Sequence, residues 1–194
     1  MLEIYEKELA ELKQDMIGLG MKVEQAVEST WKALERKDVE LAQRIFDGDD
    51  AIDELVKSCM KKDLTISLMQ GPVAADYRSL MATLKILSDL ERIADHCADI
   101  SHYVIHLKQT NHDVPLPVGV KEMYGVMSSM VSDVIDFYKE RGTSSQAEFM
   151  RDKDDIVDQA FNNLMIDLSA EMTKHPENSK DYIDLVLVIK YIER

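Results

Sequence analysis

The sequence predicts an all-α protein: a tandem repeat of two three-helix bundles, six long helices running antiparallel in chain order. Three observations predict it. Glycine and proline are scarce, seven and four in 194 residues, so long helices run with few breaks. Apolar residues recur at intervals of three and four along nearly the whole chain, which is the helical period and not the alternation of a strand. The pattern of the first half, acids included, then returns in the second half.

The first helix begins near Leu2. Leu2, Tyr5, Leu9, Leu12, Met16, Leu19, Val23, Ala26 and Thr30 form one seam with coiled-coil-like spacing, and the helix is expected to end near Lys37. Trp31, near that end, reads as packing. Asp38 is the expected N-cap of the second helix. That helix carries Ala42, Ile45, Ile52, Leu55, Cys59, Ile66 and Met69, and one seam position between Ile45 and Ile52 holds Asp49, with Asp53 one turn on. Gly71-Pro72 ends the second helix and opens the third.

The third helix is expected to run to about Lys108. Ile86, Leu90, Ile93, Cys97, Ile100, Val104 and Leu107 make its main seam. On another face Leu80, Leu84 and Leu87 lead into Glu91, and Glu91, Asp95 and Asp99 then stack one turn apart. Like charges at that spacing destabilise a helix, so the stack calls for a reason, and a cation supplies one. The prolines of residues 111–117 mark a linker.

The fourth helix places Val120, Met123, Met127, Met130, Val134 and Phe137 inward. Residues 141–145 read as a turn. The fifth helix carries Ala147, Met150, Val157, Phe161, Leu164 and Leu168, with Asp154 in a seam position and Asp158 one turn on. Residues 174–180 break the period, and Asp181 is expected to cap a last helix that is still apolar at Tyr191-Ile192. The halves divide as 1–110 and 111–194.

The repeat is in register. Ala42, Ile45, Asp49, Asp50, Ile52 and Asp53 match Ala147, Met150, Asp154, Asp155, Val157 and Asp158 at a constant offset of 105 residues. Leu90-Glu91-Arg92 matches Ile192-Glu193-Arg194 at an offset of 102. The difference of three falls in the loop before each third helix, where repeats tolerate change.

A lone pair of acids four residues apart is ordinarily a solvated helix face. The same acids at the same seam position in both halves point instead to a site. Asp49 and Asp53 with Glu91 and Asp95 would converge if their helices are antiparallel neighbours, and Asp154 and Asp158 with Glu193 would do so in the second half. Carboxylates so close do not all stay ionised without a cation or protons. Their oxygens suit magnesium, manganese, calcium or iron, and suit zinc less well without histidine or cysteine. His96 is read as a hydrogen-bonded structural residue, and Asp89 and Asp99 as surface or supporting groups.

Composition narrows the classes further. The formal charge of −14 repels nucleic acid and anionic lipid heads and suits cations or basic protein surfaces. Cys59 and Cys97 fall within helical patterns and read as core residues, not as a disulfide framework. No apolar run approaches the ~20 residues of a membrane span, and the acidic start Met1-Leu2-Glu3-Ile4-Tyr5-Glu6 lacks a signal-peptide core, so a cytoplasmic protein is expected. There is no Gly-rich phosphate loop, no Gly-x-Ser-x-Gly, no His-Glu-x-x-His and no Glu-x-x-His. The expectation is therefore not an enzyme, the alternative being a carboxylate-bridged metal-storage bundle or metalloenzyme.

Asp89-Leu90-Glu91-Arg92-Ile93-Ala94-Asp95-His96, followed by Ile100, resembles the signature of the PhoU family of phosphate-uptake regulators. Pro72-Val73-Ala74-Ala75-Asp76-Tyr77-Arg78 resembles the segment that introduces the same helix in that family, and Tyr191-Ile192-Glu193-Arg194 its second signature, cut short. The resemblance implies a cytoplasmic tandem three-helix bundle, commonly a homodimer. It implies a negative regulator of phosphate uptake and of the phosphate-starvation response, coupling a phosphate ABC transporter to a sensor histidine kinase. It also implies metal (iron, zinc, manganese or magnesium) held at Asp49, Asp53, Glu91 and Asp95 and at Asp154, Asp158 and Glu193. The final acid of the second set is missing, because the chain stops one residue after Glu193; a truncated last helix is the expectation.

Overall fold

The computed structural model describes residues 2–69, 71–110, 114–140 and 144–194. Residues 111–113 of the expected linker and 141–143 of the expected turn lie outside them. The described residues form six α-helices and one short 3-10 turn: α1 Leu2–Arg36, α2 Val39–Met69, α3 Ala74–Thr110, α4 Gly119–Glu140, α5 Ser144–Lys174, the turn Pro176–Asn178, and α6 Ser179–Glu193.

The break between α1 and α2 is built from two residues. Lys37 adopts a left-handed φ of 53°. Asp38 then closes the end of α1 with its backbone N–H on the Ala33 carbonyl at 3.0 Å, a six-to-one closure of the Schellman type. The Asp38 carboxylate accepts the Leu41 N–H at 3.0 Å and so caps α2, as its sequence position predicts. One aspartate thus ends one helix and starts the next.

The start of α6 differs from expectation. Asp181 is not the cap. Pro176 opens the 3-10 turn, Ser179 Oγ donates to the Pro176 carbonyl at 2.5 Å, and α6 begins at Ser179, which leaves Asp181 buried in the first helical turn. The proline ring presets φ and so moves the start of the helix toward the N-terminus.

α1, α2 and α3 pack on one another, as do α4, α5 and α6. The two groups meet through equivalent members, α1 on α4 and α3 on α6, while α2 and α5 stay apart. At Gly20 on α1 a Cβ would lie 3.1 Å from Ile135 Cγ1 on α4, so the bare glycine lets α4 seat closely. Nearby, the Tyr124 hydroxyl donates to the Val27 carbonyl at 2.7 Å, and the Tyr124 ring packs on Trp31 with centroids 5.0 Å apart. This seating turns α4 toward α1. Tyr124, Val131 and Ile135 are buried, and Val134, expected inward, is exposed.

Two apolar cores result. The smaller joins Leu12, Met16, Leu19 and Val23 of α1 to Val56, Cys59 and Ile66 of α2 and to Leu80, Leu87 and Leu90 of α3. The larger takes Val27 and Leu34 of α1, Cys97, Ile100 and Val104 of α3, and the inward faces of α4, α5 and α6. The second core therefore runs across both halves. On α2 the buried face includes Val56, while Leu55 and Met69, expected on the seam, face solvent. Both cysteines are buried free thiols.

Candidate metal centre

α2 and α3 are antiparallel neighbours joined by the short connection through Gly71, which takes a left-handed φ of 54°. Their shared register sets Asp49 and Asp53, one turn apart on α2, against Asp95 on α3. The three offer carboxylate oxygens that all lie within 4.8 Å of one another. Asp49 and Asp53 are half-buried and Asp95 is exposed, so the cluster sits at the rim of the helix pair and opens to solvent on the α3 side.

The electrostatics of this cluster are unfavourable as they stand. Burial, and after it the charges of Asp95, Asp53, Asp50 and Asp99, pushes the Asp49 carboxyl up to about 6. Burial and then Asp53 raise Asp95 as well. One buried oxygen of Asp49 and one of Asp53 have no hydrogen-bond partner. A buried, unpartnered carboxylate oxygen costs desolvation free energy that a hydrogen bond or a cation recovers. Lys57, on the exposed surface, bonds Glu54 at 2.9 Å and lies within reach of the charges of Asp53 and Glu91. The orphaned oxygens and the all-carboxylate donor set fit a hard cation held by Asp49, Asp53 and Asp95.

Glu91 lies one helical turn before Asp95 and is not among the three converging groups. Asp99 lies one turn after Asp95, and its field reaches Asp49. Asp89 is a surface ion-pair residue, 3.3 Å from Lys85 and 2.7 Å from Arg92. His96 points elsewhere, to the contact between α3 and α6, where its ring stacks on Tyr191 with centroids 5.1 Å apart. Neither of its ring nitrogens has a hydrogen-bond partner, and Nδ1 lies 3.6 Å from the Asp99 carboxylate.

The second half is arranged differently. Asp154 and Asp158 are exposed on α5. Glu193 is bonded by Lys190 at 2.5 Å, and that ammonium also lies 4.8 Å from the centre of the Phe161 ring. At the 102-residue offset the counterpart of Lys190 is Ser88, so the first half has no cation there. Among the described residues no three acids of the second half converge. The counterpart of Asp95 would fall at position 197, past Arg194.

One acid escaped the sequence reading. Asp63 on α2 is fully buried with both carboxylate oxygens unpartnered, and burial pushes it up to about 6. Its signal was present: Cys59, Asp63 and Ile66 keep the seam spacing, so the polar residue takes a core position.

Fold and site together define a class: a tandem three-helix-bundle protein with an acidic cluster between the second and third helices of its first repeat. The PhoU domain family matches residues 16–104 and 120–194, and the chain belongs to that family. It is 31% identical, over 99% of its length and 87% of the relative's, to a protein of Clostridium acetobutylicum named phosphate-specific transport system accessory protein PhoU homolog. A protein of the same name from Aquifex aeolicus is 31% identical over 97% of the chain and 84% of that relative. Among solved structures, PhoU from Pseudomonas aeruginosa superposes with a TM-score of 0.92 at 23% identity, over 97% of this chain and 90% of that one. The phosphate transport system regulatory protein PhoU from Streptococcus pneumoniae does so with a TM-score of 0.87 at 26% identity, over 97% and 88%.

Proposed function

We propose that this chain is an accessory protein of a phosphate transport system that lowers phosphate uptake and holds the phosphate-starvation response off when phosphate is plentiful. In this reading it is a cytoplasmic homodimer without catalysis of its own. It acts as a metal-binding adaptor between a phosphate ABC transporter and a sensor histidine kinase. Membership of the PhoU family carries the reading, and the names of the relatives support the link to phosphate transport. No helix among the described residues is long and apolar enough to cross a membrane, which suits a protein that works through partners.

The metal part rests on Asp49, Asp53 and Asp95. A bound cation would neutralise the cluster and tie α2 to α3 at mid-length. Glu91 borders the site, and Asp154, Asp158 and Glu193 form the weaker candidate in the second half. When bound, the metal supplies charge neutralisation and a rigid link between the two helices. The residues contribute the rest: Asp49 and Asp53 present buried oxygens from one helix, and Asp95 closes the group from the other.

The test is a phosphate-starvation reporter in a strain that lacks this gene, grown in phosphate-rich medium. The strain receives back either the natural chain or one carrying Asp49→Asn, Asp53→Asn and Asp95→Asn. Deletion is expected to switch the reporter on, the natural chain to silence it, and the triple variant to fail while keeping its helical circular dichroism. The triple variant is also expected to lose the metal that elemental analysis finds in the natural chain. Silencing by both versions would remove the acids from the regulatory mechanism. A deletion without effect would overturn the regulatory reading.

A further inference from the structure

The end of the first bundle, where α2 turns into α3, is apolar and nearly uncharged. Charged residues make up 31% of the chain, yet residues 64–81 hold only Asp76 and Arg78. Asp76 is engaged, accepting the Tyr5 hydroxyl at 2.9 Å. Large apolar side chains stand in water here: Leu68 is 82% exposed, Met69 76% and Val73 69%. Contiguous exposed apolar surface of this kind marks an interaction site.

Helical spacing arranges these residues in two ridges. On α2, Leu68 and Leu64 are followed away from the tip by Lys61. On the other side of the turn, Val73 just before α3 and Tyr77 and Met81 on it are followed by Lys85. Each ridge thus runs from bare apolar residues at the turn to an ammonium farther down the bundle, with a half-exposed tyrosine part-way along one of them. At 1.5 Å per residue, Leu68 and Lys61 lie roughly 10 Å apart along the axis. That is the depth scale of an amphipathic element seated at the boundary of headgroups and acyl chains, where tyrosine and lysine stems reach back to the headgroups.

The second repeat provides the internal comparison. Its matching turn reads Lys174-His175-Pro176-Glu177-Asn178-Ser179-Lys180, with Lys174 on Glu171 at 2.7 Å and His175 beside Glu177 at 3.3 Å. The exposed isoleucines there, Ile166 and Ile183, each have an aspartate beside them in sequence, Asp167 and Asp184. One repeat therefore presents an ion-paired, water-facing turn and the other an uncharged apolar turn on the same scaffold.

We propose that the α2–α3 end of the first bundle is a lipid-bilayer docking surface, which inserts Leu68, Met69 and Val73 at the acyl boundary and sets Tyr77, Lys61 and Arg78 among the headgroups. The driving force is apolar area and not net charge. The chain as a whole is acidic, Lys85 bonds Asp89 at 3.3 Å, and the first turns of α1, with Glu3 and Glu6, share this end through the Tyr5–Asp76 bond. The inference stands on this surface alone and does not depend on the regulatory role.

The experiment is flotation of the purified full chain with vesicles of phosphatidylcholine containing a minority of phosphatidylglycerol. The chain is expected to float with the vesicles and to remain bound at about 1 M salt, where the Debye length is only about 3 Å. Leu68→Asp with Val73→Asp is expected to cut the bound fraction about tenfold, since both charges would sit at membrane depth. Ile183→Asp, at an exposed position of the second repeat, is expected to leave it unchanged. All three side chains are exposed, so circular dichroism should match the natural chain. Absence of flotation, binding that the tip variant keeps, or binding lost entirely in salt would each overturn the proposal. So would a dimer, seen by light scattering without flotation, that the tip variant dissolves, because the occupant would then be a second copy of the chain.

Discussion

Asp63 shows what one misplaced charge does in a bundle of this size. Its carboxyl lies in the smaller core with no partner, and burial pushes it up to about 6. The folded-state value lies above the ordinary one, so the proton favours the folded chain. The stabilisation this provides is complete below about pH 4 and is lost as pH rises through about 6. The ionised form is then carried at a cost of about 3 kcal/mol. Asp63→Asn is expected to raise stability at pH 7 by about that amount and to flatten this part of the pH dependence, as urea melts at pH 4.5 and 7 would show. The acids of the candidate metal centre face the same difficulty at the rim of the bundle, where a cation from solvent can reach them. Asp63 is sealed off and has only a proton to relieve it.

At the scale of the element, the α1–α2 corner depends on Asp38. Its backbone N–H closes α1 on Ala33 and its carboxylate caps α2 at Leu41. Asp38→Ala keeps the first bond and removes the second, so a loss of about 1 kcal/mol is expected in thermal or chemical denaturation. This corner was legible in the sequence, while the corner before α6 and the helix faces were less so. A cap is a local event, decided by residues within one turn, and Asp38 announces it. Which side of α4 turns inward is decided by a residue more than a hundred positions away, Gly20, whose missing Cβ makes room for Ile135. Periodicity alone placed Val134 inside and passed over Val131.

For the whole molecule, the two halves are held by α1 against α4 and α3 against α6, and the larger core spans both. Gly20→Val should therefore act well beyond its own helix. Its Cβ alone would meet Ile135 at 3.1 Å, and the added methyls would push α4 away from α1. Overpacking of this kind costs about 1–3 kcal/mol. Because the core is shared, unfolding is expected to stay cooperative and to shift as one transition, which calorimetry would report; two separated transitions would mean that the halves unfold independently.

The helical class, the six-helix order, the repeat and the register of its acids were determined by the sequence alone. All of these are one-dimensional properties: period, caps and internal offsets need no partner to be read. Only the tertiary structure decided which acids meet. Asp49, Asp53 and Asp95 converge because α2 and α3 are antiparallel neighbours in one particular register. Glu91 falls a turn away from them, and in the second half Lys190 already neutralises Glu193. Charges spaced alike along two helices become different sites once rotation and neighbours are set, because carboxylate repulsion and its relief act over a few ångströms of space and not over residues of chain.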